Sequence, residues 1–114
     1  MDTNIVLEAV NENRIVLSKE SKVKYLEKLI GKMIKILHMI QEKEQTGVEP
    51  EHFIYGQLIE LNSANQLFDN ELVEIIIKLN VVYKGYKTLD FKEIRKQIFE
   101  IKNKINYMLK GLQD

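Results

Sequence analysis

The sequence contains no cysteine and no tryptophan, and it has one proline and five glycines among its 114 residues. Without cysteine the chain can form neither a disulfide framework nor a thiolate zinc site, and it has no cysteine nucleophile. The five glycines stand apart from one another, so the sequence lacks a phosphate-binding loop and a dinucleotide-binding fingerprint. These absences argue against several classes of enzyme, and a cysteine-free chain suits the reducing cytoplasm, where we expect the protein.

Long apolar runs are also missing, because no uninterrupted run exceeds three residues, as at positions 75–77. A helix that spans a membrane needs about 20 mostly apolar residues. The first 14 residues, MDTNIVLEAVNENR, lack the basic start and the apolar stretch of a signal peptide. We therefore predict no membrane span.

Regular apolar spacing is what the sequence does have, most clearly near its C-terminal end. Apolar residues there recur at alternating steps of three and four, which is the pattern of a helix packed lengthwise on other helices. They are Phe91, Ile94, Ile98, Ile101, Ile105, Met108 and Leu112. The spacing predicts a helix over residues 90–111, with Asp90 at its start.

The same spacing predicts further helices over residues 22–45, 50–62 and 69–85. Ser21 is the expected cap of the first, and Pro50 suits the start of the second. The polar residues 62–65 and a possible cap at Asp69 favour a break, although one continuous helix over 50–85 also fits the spacing. The whole chain, 1–114, is predicted to be one small antiparallel all-α bundle of four or five helices.

The N-terminal segment, residues 1–18, fits two structures. Val6, Val10 and Leu17 suit a helix, whereas the β-branched runs on either side of residues 11–13 suit a hairpin. We favour the helix, because an isolated two-stranded hairpin is marginally stable.

Candidate catalytic and metal-binding groups are few. His38 has Glu42 one helical turn later, and His52 lies near Glu49 and Glu51, but a zinc site needs at least three convergent protein ligands. No serine occurs in the strand-turn-helix setting of a nucleophile elbow. The sequence therefore predicts a protein that is not an enzyme and that has no metal or cofactor.

Charge is balanced overall, with 17 basic and 17 acidic residues, but it is unevenly distributed. Residues 19–35 and 84–110 are mainly basic, whereas residues 42–74 are mainly acidic. Four lysines lie opposite the apolar face of the first long helix and form a lysine stripe: Lys24, Lys28, Lys32 and Lys35. The stripe predicts a solvated surface first, and an acidic protein or a nucleic acid as alternative partners.

An apolar stripe is the more informative surface. Residues 72–83, LVEIIIKLNVVY, contain only three polar residues. If Leu72, Ile75, Leu79 and Val82 face the core, then Val73, Ile77 and Val81 must face away from it. Either a second copy of the chain or the N-terminal segment is expected to cover this apolar stripe.

The function predicted from these features is binding to protein, either to its own copies, with a dimer favoured, or to one specific target. Small bacterial and phage proteins of this size and shape include immunity proteins, antitoxins and secretion chaperones. The frequent isoleucine, lysine and asparagine suit such a source. The alternative is a regulatory protein that binds nucleic acid through the lysine stripe.

Overall fold

The alternating apolar spacing produces helices over most of the chain in the computed structural model, which describes the backbone of residues 7–11 and 14–113 and the side chains of residues 17–113. In that part of the chain five α-helices follow one another: α1 (Lys19–Gln41), α2 (Lys43–Thr46), α3 (Glu51–Asn65), α4 (Val73–Gly85) and α5 (Phe91–Gln113). The predicted small all-α bundle is confirmed. Because α2 is a single turn, the other four helices form the body of the bundle.

The four long helices run alternately up and down. Residues that touch between neighbouring helices are paired in opposite chain order: Lys32 with Glu60 and Lys35 with Phe53 between α1 and α3, and Glu74 with Lys104 and Lys78 with Glu100 between α4 and α5. Helix α4 also packs against α3, and α5 closes the bundle against α1. Each helix is therefore antiparallel to its neighbours.

The core is built from the predicted seam residues. In α5, Ile94, Ile98, Ile101 and Ile105 are fully buried, whereas Phe91 at the first turn is partly exposed. The observed bounds of α5 agree with the predicted 90–111 within two residues. In α1, Leu26, Leu29, Met33 and Ile36 are buried, while Val23, Ile30, Leu37 and Ile40 are only partly buried.

The helix predicted for residues 1–18 is wrong over the described residues. The chain instead forms an antiparallel hairpin of β1 (Leu7–Asn11) and β2 (Arg14–Leu17). Its β-branched residues prefer extended backbone. Strand β2 lies against a 3-10 turn at Gln66–Phe68, and Leu17 is buried there. The bundle thus supports a hairpin that would be marginal alone. Residues 1–6 lie outside the described residues.

Helix α1 begins three residues before the predicted start and ends four residues before the predicted end. The Ser18 hydroxyl accepts a hydrogen bond from the backbone N–H of Ser21 at 3.2 Å, so Ser18 is the cap. The cap predicted at Ser21 is wrong, and that side chain is buried. At the other end the chain makes the extra turn α2, which stops at Gly47 with a left-handed φ of 69°.

The predicted break between α3 and α4 is present, but its position differs. Helix α3 continues to Asn65, and α4 begins at Val73 rather than at residue 69. Asp69 is not the cap of α4, because Asp69 and Asn70 both have left-handed backbone, with φ of 56° and 63°. Asp and Asn tolerate this conformation better than most residues. The Asn65 side chain holds the turn by accepting from the Leu72 N–H at 3.0 Å.

Candidate protein interface on helices α3 and α4

The apolar stripe predicted on α4 faces away from the core. Val73, Ile77 and Val81 are 43%, 59% and 42% exposed, while Ile75 and Leu79 on the other side of the same helix are fully buried. The positions follow from helix geometry, since residues four apart share a side and the core already occupies the opposite one. The structure therefore places all three predicted residues on one outer surface.

Helix α3 adds two residues that the sequence analysis did not single out. Tyr55 and Ile59 are 51% and 52% exposed, and they lie one turn apart. The Tyr55 ring lies 5.6 Å from the ring of Tyr83 on α4, so this side of α3 adjoins α4. In the sequence both residues lie beside the buried positions Ile54, Leu58 and Leu61, a placement that is common and does not by itself indicate an interface. We call the surface of Tyr55, Ile59, Val73, Ile77 and Val81 the α3–α4 face.

Three charged side chains of α3 and α4 contact other helices rather than this face. Lys78 donates a hydrogen bond to Glu100 at 2.9 Å, and Glu74 lies 3.2 Å from Lys104, so both of these α4 side chains reach α5. The hydrogen bond between Lys78 and Glu100 raises the pKa of Lys78 and lowers the pKa of Glu100. On α3, Glu60 reaches α1. The α3–α4 face is left apolar between these ion pairs.

The lysine stripe on α1, by contrast, makes contacts within the chain. Lys32 lies 3.1 Å from Glu60, Lys24 lies 3.5 Å from Glu20, and the ammonium group of Lys35 lies 4.7 Å from the centre of the Phe53 ring. Lys28 is exposed. Lys24 and Lys32 therefore have a carboxylate beside them and Lys35 covers an aromatic ring, which weakens the field that an external phosphate would meet.

Two tyrosine hydroxyls are the most perturbed titratable groups. Tyr86 donates a hydrogen bond of 2.6 Å to Glu49, and this bond lowers the pKa of Glu49. Burial and the same bond raise the pKa of Tyr86. The Tyr25 hydroxyl is buried without a hydrogen-bond partner among the described residues, and burial followed by the nearby Glu60 charge raises its pKa. Tyr25 lies on α1, whereas Tyr86 directly follows α4.

Metal ligands do not converge in the described residues, where no group of three histidine or acidic side chains is placed to hold an ion. His38 and His52 are both exposed and lie on different helices, α1 and α3. The same part of the chain has no helix with the length and apolar character required to cross a membrane.

Comparisons of the chain with protein-family models, with curated proteins and with solved structures give no match. The functional argument therefore depends on the geometry of the chain itself.

Proposed function

We propose that this chain is a non-enzymatic protein that acts through protein contacts, and that its α3–α4 face binds a second copy of the chain. The observation that carries the proposal is the exposure of five large apolar side chains on two adjacent helices. Monomeric proteins rarely leave a contiguous apolar surface of this kind in water unless it has a binding role. Burial against a partner removes that surface from water, which is the main favourable term in protein association.

A second copy suits this face because the centre of the face carries no charge. In a two-fold dimer each surface meets itself, so a charged face would oppose like charges, whereas an apolar face meets no such repulsion. Glu60, Glu74 and Lys78 contact α1 and α5, which leaves the centre of the face free of their charges. A face built on two short helices is small, and we expect an affinity in the micromolar range.

The N-terminal segment was the other expected cover of the apolar stripe. Strand β2 lies against the 3-10 turn that precedes α4, and the three stripe residues remain exposed on the helix itself. The side chains before Leu17 lie outside the described residues. This arrangement supports the second copy over the intramolecular cover.

The test is the molar mass in solution, measured by light scattering over a range of concentrations. The parent chain should have twice the mass of one chain at high concentration, and the double variant Val73→Glu, Ile77→Glu should be a folded monomer. Ile34→Glu is the matched control, because Ile34 is a 38% exposed isoleucine on α1, away from the face. This control should dimerise like the parent.

Two results would contradict the proposal. A parent that is monomeric at every concentration would remove the second copy as the partner. Loss of folding in the double variant, with Ile34→Glu folded, would show that the stripe is covered within one chain. Circular dichroism of all three proteins distinguishes this second outcome from simple dissociation.

A further inference from the structure

Opposite charges that form no ion pair with another described residue lie at the two ends of α4, one of them in the turn before the helix. Glu71 lies in the turn that leads into α4, and Lys84 lies in its last turn. Both side chains are exposed, and neither forms an ion pair with another residue in the described part of the chain. Lys84 follows Ile77 by seven residues, so the two side chains lie on the same side of the helix.

The residues on α4 and in the turn before it are spaced almost symmetrically in sequence about Ile77. Val73 precedes Ile77 by four residues and Val81 follows it by four, while Glu71 and Lys84 lie six residues before it and seven after it. If a second α4 lies antiparallel across the first with the two Ile77 side chains in contact, each Val73 meets the partner's Val81. The same arrangement brings each Lys84 level with the partner's Glu71.

A parallel arrangement does not have this property. It would place both Lys84 residues at one end of the interface and both Glu71 residues at the other, and like charges placed together across an interface oppose association. The charges at the rim thus favour one of the two ways in which the apolar faces can meet.

We infer that two copies pair through α4 in antiparallel orientation, with the two-fold axis at Ile77 and with Lys84 of each copy beside Glu71 of the other. The inference rests on the proposed self-association and adds its orientation and its charge register. The apolar centre supplies affinity, and the two ionic contacts at the rim select the orientation.

Charge reversal tests this pairing. Lys84→Glu replaces two attractive contacts with two repulsive ones in the dimer, because each substitution occurs in both copies, and so does Glu71→Lys. Each single variant should raise the dissociation constant of the dimer about tenfold at low salt. Two attractive contacts are lost and two repulsive contacts are gained, and four changes of a few tenths of a kcal/mol together produce an effect of about this size. The double variant Glu71→Lys, Lys84→Glu restores opposite charges and should dimerise within about threefold of the parent.

The control is Lys110→Glu, which reverses a lysine in the open groove between α1 and α5. It should leave the dissociation constant, measured by sedimentation equilibrium, unchanged. Equal dissociation constants for the parent and both single variants would overturn the antiparallel register, as would a double variant weaker than either single variant. In both cases the proposed function would stand if the parent dimerises and the double variant Val73→Glu, Ile77→Glu is monomeric. A monomeric parent would overturn both.

Discussion

Helices α1 and α4 carry outward stripes of similar spacing but of opposite chemistry, and their surroundings differ. The lysine stripe of α1 finds partners within the chain, namely Glu20, Glu60 and the ring of Phe53. The apolar stripe of α4, Val73, Ile77 and Val81, faces outward with Tyr55 and Ile59 beside it. A lysine can be satisfied by a neighbouring carboxylate or by water, whereas an exposed isoleucine gains only from contact with another apolar surface.

This difference favours the α3–α4 face as the proposed binding surface. From the sequence, the lysine stripe was expected to be a solvated surface first, with an acidic protein or a nucleic acid as alternative partners. In the folded chain the acidic helix α3 lies beside α1 and takes up part of that charge. The apolar stripe has no comparable neighbour among the described residues. Substitutions on α4 are therefore best compared with substitutions in the core and on α1.

The largest expected effect comes from placing the same charge on the inner and outer sides of the bundle. Ile98→Asp buries an unpaired carboxylate in a fully buried position, which costs several kcal/mol and approaches the whole stability of a domain of this size. Ile77→Asp should lower the free energy of unfolding of the monomer by only about 1 kcal/mol, since the site is on the surface. Thermal unfolding at low protein concentration measures both.

Ile101→Asp serves as a second buried variant, because this residue lies one turn further along α5 and is also fully buried. Similar losses for Ile77→Asp and Ile98→Asp would mean that α4 is covered on both sides within one chain. Melting temperatures of both buried variants close to that of the parent would contradict the apolar spacing from which α5 was predicted.

A smaller effect is expected from reversing the lysine stripe. In the triple variant Lys24→Glu, Lys28→Glu, Lys32→Glu, two of the new carboxylates face Glu20 and Glu60, so attraction becomes repulsion at both contacts. Exposed pairs contribute little, and the free energy of unfolding should fall by about 1–2 kcal/mol with the fold retained. Urea unfolding measures this loss, and light scattering should give the same dimer mass as the parent.

The triple variant also tests the alternative function. Titration of the parent with DNA or RNA at low salt should give weak binding at most. Tight binding that falls steeply with added salt and disappears in the triple variant would favour the nucleic-acid interpretation and would make α1, rather than α4, the functional surface.

The helical part of the fold could be predicted because a helix that is buried on one side has apolar residues at regular intervals in its sequence. Ile94, Ile98, Ile101 and Ile105 are read directly from their spacing, and so is the outward position of Ile77. The link between α1 and α3 could also be predicted, because Pro50 suits the start of a helix. Gly47 has the left-handed backbone that ends the helical turn before it.

Other features depend on contacts between distant parts of the chain, which spacing does not encode. The N-terminal hairpin becomes favourable because β2 packs beside the 3-10 turn, roughly fifty positions further along. The contact of Lys32 with Glu60 likewise depends on which helices become neighbours. The start of α4 was misjudged because Asp69 can cap a helix or adopt left-handed backbone, and the Asn65 side chain decides between them.

The candidate interface was only half predicted. The α4 residues followed from an excess of apolar positions on one helix. Tyr55 and Ile59 were missed because single apolar residues beside a seam are common and carry no meaning until the neighbouring helix is known. The ring contact between Tyr55 and Tyr83 shows that this side of α3 adjoins α4.

Disulfide formation between single-cysteine variants is the measurement that tests self-association through α4 most directly. The chain has no cysteine, so each variant reports one position alone. Ile77→Cys should form a disulfide-linked dimer rapidly under mild oxidation, because the two copies bring this position together at the two-fold axis, within the few ångströms that a disulfide requires. Ile34→Cys on α1 should cross-link only at the slow rate of random collisions. Equally slow cross-linking of both variants, at concentrations where the parent was expected to be a dimer, would contradict the account.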